Sequence, residues 1–285
     1  MEEMIRHPEF QSQGFTIESL CKFMNISRQG FYKRRREKMK ESLVEELVIQ
    51  RVLEIRHRMP RIGGKKLHYL LNKDITEIPI KIGRDKLFEL LNKYGLLVKP
   101  NKQYVRTTYS KHQYRVYKNL IQEILIETAC SVIVSDITYI RLEKGFCYLF
   151  LVTDLYSRKI IGYNLSETLE AAGAIKALKM SFSYIDNFNG MIHHSDRGVQ
   201  YCSDEYVAML ETKGIKISMG EAGNPYENAV AERVNGILKN EFMLNTKFNN
   251  YQQARKAVSE AIETYNKLRP HMSLDYLTPD QKYAA

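Results

Sequence analysis

The sequence predicts an α/β protein, a mixed β-sheet with helices, preceded by an all-α and basic region. Three observations point there. Residues 131–142, 146–153 and 159–166 form apolar, β-branched and aromatic runs with only short turns between them, the pattern of three meandering strands. Beyond residue 169 the periodicity alternates: a helix over 169–183, a strand over 191–195, a helix from Ser203 to Thr212 stopped by Gly214, a strand from Ile215 to Met219, then another helix. Before residue 98 the apolar residues recur at helical spacing.

Taken in order, Thr16 to Arg36 offers Thr16 and Ser27 as caps, with Ile17, Leu20, Cys21 and Met24 at helical spacing and a Met24-Asn25-Ile26 turn. It looks like a helix-turn-helix, whose second helix would present Arg28, Gln29 and Tyr32 to a groove and Lys33, Arg34, Arg35 and Arg36 to phosphates. A basic helical hairpin with a solvated face accounts for the same residues. From Glu45 to Leu97 a second helical unit is expected, with Ile62-Gly63-Gly64 as a break, Leu67, Leu70 and Leu71 on one helix and Leu87, Leu90 and Leu91 on another. Between Leu90 and Gln122 there is no acidic residue, but seven Lys or Arg and five Tyr (Tyr94, Tyr104, Tyr109, Tyr114, Tyr117). Such a linker suits a nucleic-acid strand, the charges neutralising phosphates and the rings lying on sugars or bases; tyrosines packed on neighbouring domains are the alternative. The expected segments are therefore 1–44, 45–98, 99–127, a catalytic unit over 128–245, and a C-terminal helical extension over 246–285. In the last, a helix from Tyr251 to Asn266 and the segment Arg269-Pro270-His271 should pack on the core, with DNA contact by Arg269 or His271 as the other reading.

The chain carries 43 Lys and Arg against 33 Asp and Glu, a net charge of +10 and a pI near 9.2, which favours an anionic partner, nucleic acid first. The longest strongly apolar run, Phe146 to Val152, is too short to span a bilayer, and the N-terminus does not resemble a signal peptide. Four scattered cysteines without metal spacing read as reduced packing residues, so a soluble, cytoplasmic and nucleoid-associated protein without membrane contact is expected. The absence of a Gly-rich phosphate loop gives no support to an ATP-driven step.

Three carboxylates organise the chemistry. Asp136 interrupts the run from Val132 to Ile140, and a buried, unpaired carboxylate costs several kcal/mol unless a cation or donor meets it. Asp196 stands where the strand ending at Ser195 runs out into Arg197-Gly198. Gly223-Asn224-Pro225 predicts a helix start closed by an Asn224–Glu227 capping box, which puts Glu232 two turns inside, opposite Val230, Val234 and Ile237 and on one face with Asn228, Asn235 and Lys239. Thirty-five residues separate Asp196 from Glu232, enough for a helix and a strand that return the chain to the same edge. For Asp136 alone, a salt bridge to Arg158 or Lys159 is the alternative; with Asp196 and Glu232 in view, a shared metal is the reading adopted. Asp154 is a rival ligand but precedes the Tyr156-Ser157-Arg158 turn and is expected to cap it. His193 and His194, as strand neighbours, point to opposite faces and cannot both serve one ion.

The segments SDITYI, HHSDRGVQY and GNPYENAVAERVNGILK that hold these acids, together with YLFLVTDLYSRKIIGY (148–163) and YNKLRPHMSL (265–274), resemble the DDE transposases and integrases. The likeness is specifically to bacterial insertion-sequence transposases whose catalytic chain is the second of two overlapping reading frames. It covers nearly the whole chain, with several independent motifs in order. One departure is visible: such chains usually carry a Trp just before the first Asp, a packing residue, where this one has Ile133 and no Trp at all. The resemblance implies a ribonuclease-H-like core, Asp136 and Asp196 side by side, Glu232 entering from the last helix, and a second DNA-contacting region bearing Arg56, Arg58, Arg61, Lys65 and Lys66. It also implies a transposase acting on double-stranded DNA, the terminal inverted repeats and the target, as a homo-oligomer with circular intermediates and with an upstream-frame protein as partner.

Oxygen-only donors suit Mg²⁺, or Mn²⁺, and three carboxylates can hold two such ions roughly 4 Å apart, one activating the attacking oxygen and one stabilising the leaving oxygen. Water as nucleophile gives nicking, and a freed 3′-hydroxyl gives strand transfer. Lys239, on the face of Glu232, is expected to touch substrate DNA. A ribonuclease-H-type nuclease would share the metals without joining; a helix-turn-helix regulator would need neither.

Overall fold

The computed structural model describes residues 16–73, 81–99, 114–122, 124–220 and 228–285. The chain divides into two compact units, one comprising the chain up to Glu54 with Leu71–Leu96, the other Ile55–Leu70 with everything from Leu97. Among the described residues no helix is long and apolar enough to cross a membrane.

In the first unit α1 (Ile17–Phe23) opens with a capping box between Thr16 and Ser19 and ends at Met24, with Asn25 at φ +51° making the turn. Ser27 Oγ then accepts from Gly30 N at 3.0 Å and starts α2, Arg28–Arg58. Both expected caps are in place. α2 passes without interruption through residue 44, where a segment boundary was expected, because no Gly or Pro stands between Phe31 and Arg58 to break it. Only Phe31, Val48 and Val52 of this helix are buried. α3 (Gly64–Lys73), which belongs to the second unit as far as Leu70, follows the break at Ile62-Gly63, and in the first unit α4 (Arg84–Lys93) buries Leu87, Leu90 and Leu91, as their spacing predicts.

The second unit is built on a five-stranded sheet in the order β3-β2-β1-β4-β5. β1 (Val132–Arg141), β2 (Phe146–Asp154) and β3 (Ile160–Ser166) form the antiparallel meander, while β4 (Ile192–Ser195) and β5 (Lys216–Met219) run parallel to β1. α5 (Ala171–Ser181) continues into a 3₁₀ turn at Phe182–Tyr184, and α6 is Asp204–Thr212. Ser203 occupies the N-cap position of α6, but its hydroxyl donates to Gln200 O at 3.0 Å and leaves the helix amides uncapped. α7 is described from Ala229 to Asn240, which places Glu232 in its first turn; the expected cap at Asn224, Pro225 and Glu227 lies outside the described residues. α8 (Tyr251–Lys267) is capped by Asn250, and α9 (Pro279–Tyr283) by a Thr278–Gln281 capping box.

The period of two along β1 sorts its side chains onto two faces. Ile133 joins Phe150, Val152, Ile161, Leu178, Tyr206 and Met219 in the larger cluster, on the side of α5 and α6. Val132 and Val134 join Ile192, Leu155 and Ala231, on the side of α7. α5 comes close to the sheet because Gly162 has no side chain: a Cβ there would lie 2.2 Å from the Ala177 carbonyl oxygen. At the end of the linker, Tyr117 packs on the larger cluster under Arg115, whose guanidinium lies 5.0 Å from the ring centre. Tyr104 and Tyr109 lie outside the described residues.

Candidate active site

Strand parity and register build the site. Asp136 shares a face with Val132 and Val134, so it points toward α7. β1 and β4 pair in parallel with Ser135 opposite Ser195, so the next residue on each strand, Asp136 and Asp196, leave neighbouring strand positions together. The Asp196 carboxylate turns back to accept from Gly198 N at 3.0 Å. A Cβ at Gly198 would stand 3.0 Å from Asp196 Oδ1 and 3.2 Å from Gln200 Oε1, close enough to press both side chains aside by a few tenths of an ångström. Gln200 in turn donates to Leu169 O at 2.8 Å and ties this loop to the segment before α5.

α7 brings its polar face down onto β1. Asn235 Nδ2 donates to Asp136 Oδ2 at 2.6 Å, and Asn228 Nδ2 to the Ser135 carbonyl at 3.4 Å. The other Asp136 oxygen accepts from Ile137 N at 2.9 Å. Burial, then the charge of Asp196, then that of Glu232, push the Asp136 carboxyl up to about 7, against the pull of the two hydrogen bonds. Glu232 is itself raised, by burial and by Asp196. The three acids thus share one electrostatic field. Among the described residues Asp136 has no ion pair, and no three His, Cys, Asp or Glu side chains stand close enough to hold an ion together. Lys239, one helical face with Glu232, has its pKa lowered by burial while the charge of Asp136 opposes that shift.

Among the described residues neither Arg158 nor Lys159 pairs with Asp136: Lys159 pairs with Asp280 at 3.1 Å, and the charges that act on the Arg158 guanidinium are those of Tyr265 and Asp154. Asp154 caps its turn, accepting from Ser157 N at 2.8 Å and from the Ser157 hydroxyl, and also from Cys130 N at 2.8 Å. His193 and His194 point apart and are buried: His193 Nε2 lies 2.8 Å from both Ser135 Oγ and Tyr206 Oη, while His194 Nδ1 lies 2.8 Å from Ser218 Oγ. Arg28, Gln29, Tyr32, Lys33, Arg34, Arg35 and Arg36 are all exposed on α2, and all but Arg34 line one concave basic surface with Met39. Lys65 is exposed. Lys66 is not: its ammonium is buried and donates to Glu241 Oε1 at 2.6 Å, so it cannot reach a phosphate from this position. Arg269 and His271 are buried too, as the packing reading has it.

Sequence reasoning placed Asn235 on the right face but gave it no partner, and it passed over Tyr201, whose buried hydroxyl has no hydrogen-bond partner among the described residues. The signal for Asn235 was its spacing of three from Glu232. Nothing local marks Tyr201.

Residues 128–225 match the family model described as integrase core domain, and residues 213–279 match a second model of the same description. An uncharacterised 31 kDa protein of insertion element IS600 from Shigella sonnei is 32% identical over 264 residues, covering 91% of this chain and 96% of its own. The transposase InsF for insertion sequence IS3A of Escherichia coli strain K12 is 29% identical over 273 residues, 94% of this chain and 93% of that one. The HTLV-2 integrase catalytic core domain in complex with magnesium, trimeric form, is similar over 55% of this chain and 97% of that one at 20% identity, with a TM-score of 0.44. Sequence likeness along nearly the full length, with an integrase core at its centre, means that the chain belongs to the insertion-sequence transposases, DDE enzymes of DNA transposition.

Proposed function

We propose that this transposase cuts DNA at the ends of its element and joins the freed 3′-hydroxyl to target DNA by in-line phosphoryl transfer, with Asp136, Asp196 and Glu232 as the catalytic and metal-binding carboxylates. The observation that carries the reading is the setting of Asp136: burial first, then two more acids, raise its proton affinity, an arrangement unfavourable to folding that a bound cation would reverse. The donor set fits a hard ion, because it is all oxygen: His193 lies on the other face of the sheet, and His194 is held through Nδ1 by Ser218 Oγ. Two Mg²⁺ ions, or Mn²⁺, would supply Lewis acidity to the attacking and leaving oxygens when bound. The protein's own part is to hold Asp136 through Asn235 and Ile137, to fix Asp196 through the Gly198 amide, and to bring Glu232 on α7.

In this reading Arg28, Gln29, Tyr32, Lys33, Arg34, Arg35, Arg36, Lys65 and Lys239 contact DNA. The partners are the terminal inverted repeats, the target duplex, further copies of the chain and an upstream-frame protein, in the cytoplasm at the nucleoid. The test is to assay Asp136→Asn, Asp196→Asn and Glu232→Gln for cleavage, strand transfer and end binding side by side. Each should lose both reactions and keep binding; a fully active variant removes its residue from the site, and hydrolysis without joining in the parent enzyme makes it a nuclease.

A further inference from the structure

Glu241 follows the last residue of α7, and its carboxylate takes three charge-assisted hydrogen bonds: from Lys66 Nζ at 2.6 Å, Arg269 Nε at 2.8 Å and Arg269 Nη2 at 2.9 Å. Its carbonyl accepts from Arg61 N at 2.9 Å. The three side chains are 16%, 11% and 3% exposed for Glu241, Lys66 and Arg269. Upstream and downstream parts of the second unit therefore meet at the C-terminal end of the helix that carries Glu232 and Asn235.

Local helix energetics do not explain this placement. An anion at the C-terminal end of α7 and a cation in the first turn of α3 both oppose their helix dipoles, and each is disfavoured there on its own. Burying one anion with two cations costs desolvation, and losing a single partner strands a buried charge. Such a conflict between local preference and fold marks positions specified for something other than helix stability. The YNKLRPHMSL segment supplies the downstream half, since Arg269 lies in it, and its Asn266 bonds the Ile160 backbone at both N and O, at 3.0 and 2.9 Å.

We propose that Glu241, held by Lys66 and Arg269, is a positioning residue for the active site: the clamp fixes the far end of α7 and thereby sets where Glu232 and Asn235 meet Asp136 and Asp196. α7 is 12 residues of continuous helix, so a shift at its C-terminal end is carried along its hydrogen-bonded turns to the carboxylate at its other end. The inference rests on Glu232 acting in catalysis.

The experiment compares Lys66→Met, Glu241→Gln and Lys66→Arg in the full-length chain with DNA carrying the element's ends. Melting curves, kcat and KM for strand transfer, and hydrogen exchange of the α7 amides are followed in each. Lys66→Met and Glu241→Gln should lower kcat roughly ten- to a hundredfold with KM for the DNA ends unchanged, exchange should quicken from Glu232 to Lys239, and Lys66→Arg should restore both. A parental kcat in folded Lys66→Met overturns the inference. So does a loss that only follows the unfolded fraction, with α7 exchange unchanged in the folded protein. Where Lys66→Met does not fold, Glu241→Gln, which keeps the shape and one acceptor oxygen, decides by the same outcomes. Glu232→Gln separates the two ideas: an active Glu232→Gln defeats the catalytic reading, whereas an inactive Glu232→Gln beside a fully active, folded Lys66→Met defeats only the clamp.

Discussion

At Asp136 two hydrogen bonds oppose burial and two neighbouring negative charges, and burial, with the charges behind it, wins, since the carboxyl ends near 7. Asn235 is the side chain that limits the damage. Asn235→Ala should therefore lower strand transfer by roughly ten- to a hundredfold, as loss of an outer partner of a metal ligand does, while end binding measured by gel shift stays unchanged; parental activity would make the 2.6 Å contact incidental. The buried histidines give the acid limb of stability. Burial holds His193 and His271 down to about 3, whereas unfolded imidazoles titrate near 6.5. The unfolded chain therefore binds the extra protons between these values, and stability present above about 6.5 is lost as pH falls toward about 3. Melting temperature should drop between pH 7 and pH 4, and His271→Phe, which keeps the edge-on ring contact with Tyr265, should flatten that slope. An identical slope in the variant would show that His271 is charged in the folded protein.

At the scale of elements, the site is an arrangement of β1, β4 and α7, and α5 supports it from the opposite face of the sheet. That support depends on close approach at Gly162. Gly162→Ala places a methyl 2.2 Å from a helix carbonyl that cannot rotate away, so α5 must lift from the sheet. The expected loss is about 1–3 kcal/mol, read as a lower denaturant midpoint at unchanged slope; an unaltered midpoint would mean that the helix rides further out than described. Residue patterns made most elements legible at this scale. The three strands of the meander, α6 and α8 end within a residue or two of their predicted limits, because their apolar periods are long and their turns carry Gly, Asn or Asp. A segment boundary was expected at residue 44, but α2 continues through it, since a change from basic to mixed composition is no barrier to a helix.

For the whole molecule, the charge of +10 bears on partner affinity more than on fold. The exposed run from Lys33 to Arg36 is its densest part. Replacing Arg34, Arg35 and Arg36 by Gln should weaken DNA binding on all sequences alike and reduce the slope of log affinity against log salt by about 0.9 for each phosphate contact removed. A slope equal to the parent's would place the electrostatic interface elsewhere on the chain.

The succession of strands and helices and the basic character of the helical region followed from the sequence alone, because strand parity, helical period and residue chemistry are local properties written along the chain. Which lysine is free and which is buried did not. Lys65 and Lys66 are adjacent in one basic turn, yet one faces solvent and the other bonds a carboxylate 175 residues away. The same holds for Asn235, whose partner lies 99 residues back. Such pairings depend on how distant elements pack, and desolvation, which no local pattern encodes, decides whether a charged or polar side chain is left for a ligand or used to hold the protein together.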